Sequence, residues 1–557
     1  MPDADRLRLL LQRIDGRSYP AYRDLKGSWQ LGEQTLVVDH VQGDPFAAPS
    51  RLRICTQTDI PADIVSDPDA RAAAEDWLLR RFGASLHGRS RGSGRSGELR
   101  VYRPGPEIVE RSALRLRPDG IAEVRLRAGL PARGRSVLGR EAWALLTEDI
   151  PNAARTLRVG DHAELRAHVA SVQRQRGLRR QLAERRLVAF IADGAILPRA
   201  SGISQAPLED AEPFIAPDSL RVSLDGPDGP INGLGVPEGL TLIVGGGFHG
   251  KSTLLQAIQR GIFDHVPGDG RERVVSRRDV VKVRAEDGRR VEGVDISPFL
   301  RDLPGGRGTA PFSTDDASGS TSQAAAIIEA VESGAVALLL DEDTSATNLL
   351  VRDARMRQLI PRENEPITPF VERVGELYRR WGVSTVMVVG GVGDYLAVSQ
   401  TVIGMSAYVP QDLTEQAHAL AGPMPSPPEP LGERPAGRQV DVGSMRPTGK
   451  GRVRARDERR VDYGDEEIDL MAVEQVLDGA HAATIGHALG WLAATQRGEQ
   501  GLDVLLDTLE AAMDAEGVEV LSPSREPQGE LVRPRRHEVA AALSRLRTAR
   551  VGCDRDS

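Results

Sequence analysis

Nine consecutive residues, Gly245, Gly246, Gly247, Phe248, His249, Gly250, Lys251, Ser252 and Thr253, fit the spacing G-x-x-x-x-G-K-[ST]. Glycines in such a loop let backbone N–H groups wrap a phosphate, and the helix that follows turns its positive dipole end toward the same anion. The flanks agree: residues 240–244 read as a buried strand, and Leu254, Leu255 and Ile258 open a helical pattern. Downstream, the apolar run 336–340 delivers Asp341 and Glu342 to the end of a second buried strand. In phosphate-loop enzymes the first carboxylate holds Mg²⁺ together with the loop hydroxyl, here Ser252, and the next is placed to polarise an attacking water. Between the two lies Ser318-Gly319-Ser320-Thr321, ahead of a helix expected over 323–333. A hydroxyl, a glycine N–H and a helix N-terminus together make an anion site. The same turn also reads as a plain helix N-cap.

The lysine usage sharpens the loop. Of 72 Lys plus Arg, four are lysine: Lys26, Lys251, Lys282 and Lys450. A chain this biased toward arginine keeps a slim ammonium where a planar guanidinium does not fit the cradle.

These motifs carry a resemblance. The run Asp341-Glu342-Asp343-Thr344-Ser345-Ala346-Thr347-Asn348 resembles the D-E-P-T-S-A-L-D run of ABC ATPases, and Ser318-Gly319 lies where that family has its S-G-G-Q signature. The blocks 312–323, 341–348 and 390–395 resemble, more closely, the family called predicted ATPases of the ABC class. So do 39–50 and Gly245 to Gly250. The likeness spans roughly residues 10–410 and thins toward the C-terminus. It implies ATP and Mg²⁺ as ligands and a homodimer in which Ser318, Gly319 and Ser320 of one copy cap the ATP of the other. Relatives in some eukaryotic organelles are associated with RNA. Residues departing from the ordinary pattern are equally specific. Gly390-Gly391 stand where a γ-phosphate histidine is expected, no glutamine lies between Gln259 and Gln323, and no aromatic residue lies between Phe214 and Phe248 to stack on adenine. Asp394 reads either as a substitute water-positioning acid or as an exposed turn acid.

The elements that must position these residues suggest an α/β protein: a P-loop ABC-type ATPase core with an α+β N-terminal domain and a small helical C-terminal domain. A length of 557 residues fits about three domains. Residues 1–215 form the expected N-terminal domain, with a helix over 7–14, strands at 35–41 and 51–56 and a helix over 70–82. Residues 216–410 hold the ATPase, 411–460 a Pro-rich and basic linker of limited order, and 461–557 helices, including one over 537–547. Positions 1–200 contain 34 basic and 25 acidic residues, a net of +9 in a chain of −8. A basic module on an acidic protein points to a polyanion. Two elements are expected to meet phosphates by charge and close approach: a flexible loop, 87–97, with Arg89, Arg91 and Arg95, and a helix, 174–186, with Leu178, Leu182 and Leu187 on its apolar side. Without a zinc-finger or RNP-type aromatic motif, backbone or shape readout is expected, with RNA favoured. Two distant cysteines, Cys55 and Cys553, and His481 and His487 without partners at ligand spacing, argue against a structural metal. With no long apolar span and no signal-peptide core, a cytoplasmic location without a membrane partner is expected. Alternatives stay open: a nucleotide-gated scaffold that hydrolyses little, or the soluble motor of a transporter.

Overall fold

The computed structural model describes residues 1–303, 308–353, 355, 359–360, 364–423, 429–524 and 527–552. Cys553 and parts of the 352–380 insert and of the Pro-rich run lie outside the described residues. Two compact units form: Met1–Gln173 with Glu516–Arg533, and Arg174–Ala515 with Pro534–Ser557.

The first unit is built on an antiparallel sheet whose long strands, Gln34–His40, Ser50–Gln57 and Ile121–Ala128, alternate buried and half-buried residues. That period of two sends Leu36, Val38, Leu52, Ile54, Val124 and Leu126 to the core and the charged residues to the other face. The charged face is self-neutralising. Arg53 lies 2.9 Å from both Asp39 and Glu123, and Arg125 lies 3.0 Å from both Glu123 and Glu519. Arg127 pairs with Glu530. Glu519 and Glu530 come from the C-terminal segment that belongs to this unit, so the positive balance of residues 1–200 is partly cancelled by distant sequence. Cys55 is half-buried, and burial pushes its thiol up to about 11.

The 87–97 loop, expected to be flexible, is packed. Gly92 and Gly97 have φ of 136° and 82°, and a Cβ on either would fall 2.1 Å or less from a backbone carbonyl oxygen. Arg91 is clasped between Glu141 at 2.6 Å and Asp149 at 2.8 Å, whereas Arg89 and Arg95 are exposed.

In the second unit, residues 174–215 pack with the ATPase and not with the N-terminal region to which sequence assigned them. The reason is the run Leu187–Ala192, buried at every position, which pairs with Gly229–Pro237 on one side and Val274–Ser276 on the other. The basic helix Ala163–Gln181 is likewise structural at its C-terminal end. Arg179, 8% exposed, and Arg176 converge on buried Asp264 at 2.5 and 2.7 Å. Leu178, Leu182 and Leu187 are buried beside Phe190, Leu224 and Val275. Arg180, Arg185 and Arg186 are exposed.

The core of this unit is a six-stranded sheet. Its strands in chain order are β1 (Leu240–Val244), β2 (Val280–Lys282), β3 (Ala337–Asp341), β4 (Ser384–Val388), β5 (Thr401–Ser406) and β6 (Val409–Asp412). In space they run β2-β3-β4-β1-β5-β6, all parallel except β6, which returns beside β5. Three helices matter for the site: α1 (Lys251–Arg260), α2 (Gly319–Glu332) and α3 (Phe370–Trp381). Strands covered on both faces read as continuous apolar runs, which is why 240–244 and 336–340 were legible as strands.

The stretch expected as a linker is largely built in. Gln439–Asp441 is the middle strand between Glu499–Gly501 and Arg550–Gly552, and Val453–Ala455 pairs with Arg460–Tyr463. Val440, Met445, Val461 and Tyr463 are fully buried there, anchors spaced too widely to stand out among Pro and Arg. The C-terminal part therefore adds strands to its helices Gly479–Thr495, Leu502–Glu516 and Arg536–Arg545. Residues 470–477, inside the region 461–557 expected to be helical, precede the helix, whose N-cap Asp478 accepts from the His481 amide. No described helix is long and apolar enough to cross a membrane.

Candidate functional site

Register alone assembles the site. Asp341 lies level with Val388 of β4, and Val388 lies level with Ile243 of β1. The phosphate loop after β1, the carboxylates ending β3 and the glycines after β4 therefore emerge along one edge of three adjacent strands.

The loop is shaped as its sequence requires. Gly245 and Gly250 take φ of 144° and 97°, and Gly250 caps α1. Phe248, at φ 61°, is fully exposed. The Lys251 ammonium arches back over the loop and donates to the carbonyl oxygens of Gly245 at 2.7 Å and Gly246 at 2.8 Å, which aims its charge into the loop's concavity. Ser252 is exposed and Thr253 half-buried at the first turn of α1. His249 ties the loop sideways: its Nδ1 accepts from the Ala407 amide at 2.8 Å and its carbonyl from the Tyr408 amide at 3.0 Å.

Asp341 is buried, and its Oδ1 accepts from the Asp343 amide at 3.2 Å. Glu342 is held by the two glycines that replace the expected histidine. Its Oε2 accepts from the Gly390 amide at 2.6 Å and the Gly391 amide at 3.1 Å. Tyr395, fully buried just beyond, donates to the Leu350 carbonyl at 2.8 Å. Burial drives its phenol well above the usual range, with Glu342 and Asp394 adding to the push.

Ser318 occupies the N-cap position of α2, yet its side chain makes no capping hydrogen bond. Its hydroxyl turns to Thr321 Oγ1 at 3.0 Å and Ser320 Oγ at 3.3 Å. Ser318 is exposed and Gly319 half-buried, whereas Ser320 is 8% exposed and faces its own protein.

Two residues escaped sequence reasoning. Gln323, fully buried, donates to Ser345 Oγ at 2.9 Å and accepts from the Ala346 amide at 2.7 Å, and Ser345 in turn donates to the Asp341 carbonyl at 2.8 Å. It couples the serine–glycine turn to the carboxylate loop, and its signal was an amide side chain on a face otherwise apolar. Lys282, one of the four lysines of this arginine-rich chain, ends β2 with 8% exposure. Burial lowers its pKa, against the pull of Glu474 and Asp341.

Sequence comparison now adds the family. Residues 4–161 match the family described as ATPase of the ABC class, N-terminal, and residues 161–437 match the P-loop domain of the ABC ATPases. The chain belongs to the ABC-class ATPases. Residues 452–552 of this ATPase match the MRB1590 C-terminal domain, so likeness reaches beyond the region legible in sequence. A relative, the uncharacterized protein MJ1628 of Methanocaldococcus jannaschii, is 35% identical over 187 residues, covering 32% of this chain and 42% of that protein. Among solved structures, cbiO1 from Clostridium perfringens, part of the ABC transporter complex cbiONQ, aligns with 42% of this chain and 91% of its own at 15% identity and a TM-score of 0.24.

Proposed function

We propose that this ABC-class ATPase hydrolyses ATP at a composite site between two copies of the chain and couples closure of that site to binding a nucleic acid, with RNA favoured. The observation that carries the reading is the shared edge of β1, β3 and β4, where loop, carboxylates and a backbone clamp meet. Loop amides and Lys251 hold the β- and γ-phosphates. Ser252 and Asp341 offer hard oxygens of the kind Mg²⁺ takes when phosphates complete its shell. Among the described residues no group of three or more His, Cys, Asp or Glu exists to hold a metal by itself, which suits this shared mode of binding. When bound, Mg²⁺ supplies charge neutralisation at the phosphates. Glu342 accepts the proton of the attacking water, its orientation set by the Gly390 and Gly391 amides.

The serine–glycine turn acts in trans. Ser318 is exposed and its hydroxyl is not spent on capping, so the N-terminal amides of α2 lack that side-chain acceptor. Presented to the terminal phosphate of a second copy, they add the kind of stabilisation that is worth ~10³–10⁵ in rate. Specific ATPase activity is therefore expected to rise with protein concentration. Activity strictly proportional to protein down to dilute monomer would count against the reading.

The missing histidine favours a second reading, a nucleotide-gated scaffold with little turnover. Stoichiometric ATP retained in purified protein, with negligible phosphate release, selects it over the first.

A further inference from the structure

The family's usual aromatic support for adenine is missing upstream of the loop, because residues 215–247 contain no Phe, Tyr or Trp. The proposed phosphate assignment fixes where a substitute must lie. If the terminal phosphate points from Lys251 toward Asp341 on β3, the nucleoside end leaves the loop on the opposite side. In the order β3-β4-β1-β5-β6, that side is β5 and β6.

The turn joining β5 to β6 stands there, and it is aromatic. Ala407 and Tyr408 take φ of 49° and 66°, and both of their amides bond to His249 inside the phosphate loop, at 2.8 and 3.0 Å. The Tyr408 ring lies against Gly250: a Cβ at that glycine would come within 2.7 Å of the ring, so a larger residue there would displace it. Tyr408 is 46% exposed, with its ring set against Gly250 of the loop. Two non-glycine residues in the left-handed region are uncommon, and such a conformation persists where surrounding contacts hold it. Here the contacts pin an open aromatic ring to the loop that wraps phosphates.

We propose that Tyr408 is the platform on which the base of the bound nucleotide stacks, replacing the absent upstream aromatic. This rests on the phosphate-loop reading above. Stacking tolerates any base, because each has a π-face, so ATP and GTP should both gain from it.

The test compares ATP with inorganic tripolyphosphate, which has the phosphates and no base, by direct binding to the full chain. Tyr408→Asn keeps a residue that accepts left-handed backbone and removes the ring. It is expected to weaken ATP and GTP by about tenfold, within the range of base–aromatic stacking, and to leave tripolyphosphate unchanged. Tyr408→Phe is expected to bind all three like the wild type. Equal weakening of ATP and tripolyphosphate by Tyr408→Asn, or no weakening of either, overturns the platform. A wild type that binds neither ligand instead overturns the phosphate-loop reading beneath it.

Discussion

Glu342 is oriented by main-chain amides, and this sets it apart from a carboxylate steered by a side chain. Its Oε2 accepts from Gly390 and Gly391, so what those positions must supply is an N–H. A Cβ at Gly390 would lie 3.8 Å from Glu342, and one at Gly391 3.5 Å, both ordinary contacts, and neither residue has left-handed backbone. Gly390→Ala and Gly391→Ala should accordingly hold kcat within about twofold, since the amides survive, measured as steady-state phosphate release. Glu342→Gln keeps the shape and removes the proposed base. It should lower kcat by about 10² or more with little change in KM, the pattern of an interaction made in the transition state. A large loss in either alanine variant, or an unaffected Glu342→Gln, would show that the base lies elsewhere.

At the scale of elements, the buried triad of Arg176, Arg179 and Asp264 joins the basic helix to the ATPase core. Burial alone would raise the Asp264 pKa, but Arg179 and Arg176 overcome it and hold the carboxyl at about 2. Asp264→Ala leaves a nearly buried guanidinium without its counter-charge and should destabilise the protein by about 3–5 kcal/mol, read from denaturant unfolding. His487, on the helix Gly479–Thr495, gives a pH signature. Burial depresses its pKa to about 4, below the unfolded value of 6.5. The unfolded chain thus binds more protons between those values, so stability present above pH 6.5 is lost as pH falls toward 4. His487→Gln should flatten that part of the stability profile. The same elements show what sequence could carry. The strands 240–244 and 336–340 were legible because parallel strands buried on both faces are uniformly apolar, and the loop because glycine alone readily takes backbone such as that of Gly245 and Gly250. The charge roles were not legible: Arg179 and Arg91 look in sequence like phosphate contacts, and only folding shows Asp264, Glu141 and Asp149 beside them. Nor was the Tyr408 turn, which meets the loop across a separation of 158 residues between Ala407 and His249.

Across the whole molecule, the proposed coupling to nucleic acid has fewer exposed cations to rest on than the sequence offers. Arg53, Arg91, Arg125 and Arg127 are engaged with carboxylates, and Arg176 and Arg179 pair with buried Asp264. Arg89 on the packed loop and Arg180 in the basic helix are exposed, as are Arg95, Arg185 and Arg186, which lie 3.9, 3.9 and 3.5 Å from Glu98, Asp225 and Glu238. A polynucleotide bound through a few exposed arginines has a shallow salt dependence, since each neutralised single-strand phosphate contributes about −0.7 to the slope of log K against log salt. Binding of poly-nucleotides measured across a salt series should therefore give a slope near −2 to −4, steeper with a non-hydrolysable ATP analogue if two copies close together and present both sets. Arg89→Ala with Arg95→Ala should make the slope shallower by about one to two and weaken different sequences alike, because phosphate contacts carry no base information. Arg91→Ala should instead show itself in the stability of the N-terminal unit, as it strands Glu141 and Asp149. A slope that ignores both the nucleotide and the paired alanines would separate ATP binding from the polyanion and leave the basic loop as structure only.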